Sequence, residues 1–91
     1  AHAEALEDIL ELAQYNIDKV LETADRIVEA CREPRSFEAV LQKLFTDCGL
    51  TMNFEQYVLV GSTVRSYLAW LKDSGRLDAQ FEQNMLLWRQ V

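Results

Sequence analysis

The chain has 91 residues, 49% hydrophobic and 26% charged, with fifteen acids against nine bases and a net charge of −6. This makes one small domain, or a piece of a longer protein, with a thin core that buries about 60–65% of the unfolded surface. The acidic balance disfavours phosphate backbones, no apolar run approaches the roughly 18–20 residues of a membrane span, and two cysteines are too few for a disulfide framework or a structural zinc site.

Cys31 and Cys48 both fall on apolar stripes, which predicts buried free thiols in a reducing cytoplasm. The first residues are polar and helix-forming, without the pattern of a signal peptide. Three glycines and one proline point to mostly helix with few loops.

Residues 4–31 carry apolar side chains at three- and four-residue steps, from Leu6, Ile9, Leu10 and Ala13 through Ile17, Val20 and Ala24 to Ile27, Val28 and Cys31. Acids crowd the first turns, where the helix dipole favours them, and Pro34 ends the pattern. A helix of about 28 residues is ~42 Å long, more than a domain this size covers. Its first half, widened by Leu12 and Tyr15, is therefore expected to pack on something else.

Residues 37–48 form a second helix, with Ser36 as N-cap, Glu38 in the first turn and Gly49 as the residue that closes it. Its stripe is Phe37, Val40, Leu41, Leu44, Phe45 and Cys48.

Residues 54–74 hold two competing signals. The run 57–64 is rich in β-branched residues and contains Gly61, which locally favours a strand. The Asn53/Gln56 capping pair, the Met52–Tyr57 staple and the spacing of Tyr57, Gly61, Val64, Leu68 and Leu71 favour a helix, and we read it so. Gly61 then marks a close helix–helix approach; a kink there, with Ser62 as a second cap, is the alternative.

A turn at Gln83-Asn84 pairs Phe81 with Leu86, Ala79 with Trp88 and Leu77 with Gln90 on one apolar face, and Asp78 with Arg89 on the other. The predicted architecture is mainly α with a small C-terminal β-hairpin, a winged-helix-like three-helix domain with a long first helix.

Residues at the start of a DNA-reading helix face base edges among Arg and Lys. Here Asn53 to Tyr57 include one acid and no base, and the hairpin tip, Glu82-Gln83-Asn84, has none either. Arg26, Arg32, Arg35 and Lys43 form a basic patch at the first helix junction or are ordinary solvated charge. The single histidine, His2, stands at the chain start, and Ser36, Ser62, Ser66 and Ser74 have no histidine to activate them, so no catalytic set is read. Trp88 faces inward and Trp70, off the helix stripe, is the aromatic expected to be partly exposed.

The stretches Arg32-Glu33-Pro34-Arg35-Ser36-Phe37-Glu38 and Met52-Asn53-Phe54-Glu55-Gln56-Tyr57-Val58-Leu59-Val60-Gly61-Ser62-Thr63-Val64-Arg65-Ser66-Tyr67-Leu68 resemble the C-terminal domain of bacterial metallo-β-lactamase-fold hydrolases, as do residues 70–77 and 87–89. The resemblance covers residues 15–91 and implies an accessory winged-helix domain, with residues 1–14 the end of a linking helix from a preceding domain. The family's H-x-H-x-D-H zinc motif is absent, so no metal ligand carries over. The resemblance implies no cofactor in this piece and zinc or another divalent metal only in the catalytic domain. It also implies that the parent's catalytic domain is the partner. A homodimer through the first helix is the other expected contact; no membrane contact is expected, and a nucleic-acid-binding winged-helix module is the alternative function. The interaction residues expected are Leu6, Ile9, Leu10, Ala13, Tyr15 and Trp70.

Overall fold

A computed structural model of the chain describes the backbone of residues 2–91 and the side chains of residues 8–91 apart from Leu12 and Ala13. Three helices, α1 (His2–Ala30), α2 (Phe37–Asp47) and α3 (Phe54–Asp73), lead into strands β1 (Leu77–Glu82) and β2 (Met85–Gln90). The strands pair antiparallel, with Leu77 opposite Gln90, Ala79 opposite Trp88 and Phe81 opposite Leu86. The mainly helical layout and the hairpin register are those read from the sequence.

The helix starts are set locally. Ser36 accepts a hydrogen bond from the Ala39 amide at 3.2 Å, and Asn53 accepts one from the Gln56 amide at 2.8 Å. Gly49, at φ +68°, takes the left-handed conformation that closes α2. α3 runs unbroken through Gly61, so Ser62 is not a second cap. Burial there outweighs the local preference for strand.

The core is built from Ala24, Ile27, Ala30 and Cys31 of α1 and its end, Val40, Leu41 and Phe45 of α2, Val64, Leu68 and Leu71 of α3, and Leu77. Among the described side chains of α1, burial begins at Ala24. The molecule measures 60 × 31 × 18 Å, the long axis reflecting the 29-residue helix.

The hairpin is tied down at its β2 edge. Arg35 and Trp88 exchange two backbone hydrogen bonds of 2.9 and 2.7 Å, which adds the α1–α2 link to the sheet. The Gln90 amide donates to the Cys31 carbonyl, and its side-chain amide donates to the Val28 carbonyl at 2.8 Å.

Two expectations fail. Cys48 is exposed rather than buried. It caps α2 instead of continuing the stripe, because the helix ends one residue earlier. Phe81 is 77% exposed although it shares a face with Trp88. Burial along β1 fades from Leu77 toward the tip, so the distal hairpin stands beyond the helices that would cover it.

Candidate interaction surface

The expected interaction residues stand as follows. Ile9, Leu10 and Tyr15 on α1 are 63%, 60% and 58% exposed, and Trp70 on α3 is 44% exposed. Leu6 and Ala13 lie outside the described residues. Ile17, Val20 and Leu21 are also exposed, which makes an apolar row along the part of α1 that the core does not reach. The row runs directly into Ala24 and Ile27, which are buried. Trp70 does not join it; its ring packs edge-on against Tyr67, with centroids 6.1 Å apart.

A second apolar area was not singled out from the sequence. Leu50, Met52, Phe54, Val58 and Leu59 are exposed around the first turns of α3. Its signal was present: Phe54, Val58 and Leu59 are apolar yet lie off the stripe of Tyr57, Gly61, Val64 and Leu68. This area occupies the helix start where a DNA-reading protein needs bases.

The basic side chains are largely engaged. Lys19 and Arg26 both pair with Glu22, Arg32 with Glu29, Lys43 with Asp47, Arg76 with Asp25, and Arg89 with Asp78. The guanidinium of Arg65 stacks 3.8 Å over the Phe37 ring. Arg26, Arg32 and Lys43 thus stand in solvated ion pairs, each of small energetic weight.

A cavity of about 440 Å³ lies between the start of α2, α3 and the hairpin, lined by Phe37, Glu38, Arg65, Leu68, Leu86 and Trp88. Glu38 accepts a hydrogen bond from the Tyr57 hydroxyl, and this bond pushes the Tyr57 phenol above its ordinary value. Both polar groups are thereby committed to bracing α2 against α3. The Asp78 carboxyl is held below the usual range, chiefly by the hydrogen bond from Arg89 across the hairpin. Burial pushes the Cys31 thiol up to about 11, against a smaller opposing effect of Arg35.

Among the described residues no group of three or more His, Cys, Asp or Glu side chains could hold a metal ion. Among them, too, no helix is long and apolar enough to cross a membrane. No family model, curated protein or solved structure matches this chain.

Proposed function

We propose that this chain is a non-catalytic, winged-helix-like accessory domain of a metallo-β-lactamase-fold hydrolase, acting through protein contacts. The observation that carries the contact role is the exposed apolar row of α1, from Ile9 to Leu21, continuous with the buried stripe of the same helix. An apolar surface of this extent on a small acidic domain marks a protein interface. The hydrolase family rests on the sequence resemblance over residues 15–91. The bridge between Arg35 and Trp88, which seats the hairpin on the α1–α2 link, fits a winged-helix layout.

In this reading residues 1–14 belong to a helix arriving from the catalytic domain, and that domain is the partner in the parent chain. The zinc of such a parent would be held there, because a chain with one histidine and no ligand cluster among its described residues does not fit it. The cytoplasm is the expected compartment.

Two experiments test the reading. The coding sequence upstream of Ala1 is expected to carry an H-x-H-x-D-H motif; its absence removes the hydrolase assignment. Mobility-shift titrations with single-stranded RNA and duplex DNA are expected to show no complex at low salt. A shift that weakens steeply with salt would replace docking with nucleic-acid binding.

A further inference from the structure

The cavity between the start of α2, α3 and the hairpin sets one guanidinium beside an apolar wall. Phe37, Leu68, Leu86 and Trp88 form that wall, and Ser36, Glu38 and Arg65 are the hydroxyl and charged groups of the lining. Two of these three have structural work. The Ser36 oxygen accepts from the Ala39 amide as the cap of α2, and Glu38 accepts from the Tyr57 hydroxyl. Arg65 differs. Six bases stand in ion pairs among the described residues, and Arg65 is not one of them. Its guanidinium lies 3.8 Å over the Phe37 ring, a stack that leaves the N–H donors around its edge. Glu38 raises the Tyr57 phenol, chiefly through their hydrogen bond, and Arg65 lowers it by less, so the guanidinium stands beside that pair. The apolar wall also continues outward. Phe81 pairs across the strands with Leu86, shares its face and is exposed.

We propose that this cavity binds a small carboxylic acid with an apolar body, of the arylacetic or branched alkanoic kind. The carboxylate takes the edge of the Arg65 guanidinium, and the body lies against Leu68, Leu86 and Trp88. Three features select this class. The volume of about 440 Å³ falls within the roughly 300–1,000 Å³ of small-molecule sites, and the wall is mostly apolar. A planar guanidinium fork matches the two oxygens of a carboxylate, and one such group matches one negative charge. Glu38 on the same lining repels a dianion such as a phosphate ester about twice as strongly as a monoanion. An amine is disfavoured in turn, because Arg65 repels it and the Glu38 carboxylate is already held by Tyr57. The site is separate from the apolar row of α1 and does not depend on the protein-contact reading.

Phenylacetate is the probe, and the indole N–H signals in a nuclear magnetic resonance titration of this chain are the readout. Trp88 lines the cavity and is expected to shift; Trp70, which does not line it, is the internal control. A dissociation constant on the order of a millimolar is expected for so small a ligand. Phenylacetamide, phenylethylamine and phenyl phosphate are each expected to bind more weakly. Arg65→Gln is expected to weaken phenylacetate about tenfold or more, as the loss of a charge-assisted hydrogen bond does. Glu38→Gln keeps an oxygen for Tyr57 and removes a negative charge, so it is expected to tighten phenylacetate severalfold. That second variant keeps the test open if Arg65→Gln shifts the urea midpoint. No shift of Trp88, equal shifts of both indoles, equal binding of the amide, or tighter binding of the amine or the phosphate ester overturns the proposal. Weaker binding to Glu38→Gln, or unchanged binding to a folded Arg65→Gln, overturns it as well. Those failures leave the accessory-domain reading standing, since that one fails on bound RNA or DNA or on a missing upstream motif.

Discussion

Gly61 of α3 lies under the Phe37 ring of α2: a β-carbon at Gly61 would sit 3.3 Å from Phe37 Cζ and 3.8 Å from Leu41 Cδ2. The glycine costs about 1 kcal/mol of helix propensity, and the close approach of two helices offsets it. Gly61→Leu is expected to lower stability by about 2–3 kcal/mol through overpacking. Gly61→Ala is expected to change it by less than about 1 kcal/mol, as the added methyl displaces only a ring edge while propensity improves. Urea denaturation of the three proteins measures both. A Gly61→Leu protein as stable as wild type would remove the close-contact account.

The two tryptophans are expected to differ. Trp88 packs against the core and its backbone carries the bridge to Arg35, whereas Trp70 is an exposed residue on α3. Trp88→Ala should cost roughly 3 kcal/mol, the low end for a buried aromatic because its burial is partial. Trp70→Ala should cost well under half of that. Equal losses in denaturant titrations would mean that the hairpin does not depend on the Trp88 side chain.

The hairpin turn holds Gln83 at φ +52° and Asn84 at φ +63°. Two positive values in a two-residue loop define a type I′ turn, which favours Asn-Gly. Glutamine is strained in this region, at a cost on the order of 1 kcal/mol. Gln83→Asn with Asn84→Gly is therefore expected to raise the melting temperature by several degrees, as about 1 kcal/mol does in a domain of this size. An unchanged or lower melting temperature in a calorimetric scan would contradict the turn assignment.

The thiols should separate by reactivity. Cys48 is exposed and Cys31 is buried, with its thiol pushed from 9.0 up to about 11. An aromatic disulfide reagent at pH 8 is expected to titrate one thiol in the folded chain and two in denaturant. The raised value also carries a sign. The folded state keeps the Cys31 proton where the unfolded state has lost it, so stability falls as pH rises from about 9 through about 11. Cys31→Ala should flatten that alkaline decline. Rapid reaction of both thiols without denaturant would show that Cys31 is not shielded.

Much of the fold was legible in the chain because the deciding interactions are local. The caps at Ser36 and Asn53 close over three residues. The hairpin register follows from side-chain identities across a two-residue turn, and every pair it predicts is found. The long first helix follows from spacing alone. The projecting apolar row was likewise legible at Ile9, Leu10 and Tyr15, because a helix of that length exceeds the reach of so small a core.

Other features belong to the tertiary structure, because they join residues whose separation in the chain carries no pattern. Arg65 stacks on Phe37, Tyr57 donates to Glu38, and Arg76 pairs with Asp25 across 51 positions. The exposure of Phe81 and Cys48 has the same origin. Periodicity says which side chains share a face, but only the placement of neighbouring elements says how far along that face the cover extends. Phe81 lies past the end of that cover and Cys48 past the end of its helix, so both are exposed despite their place in an apolar pattern.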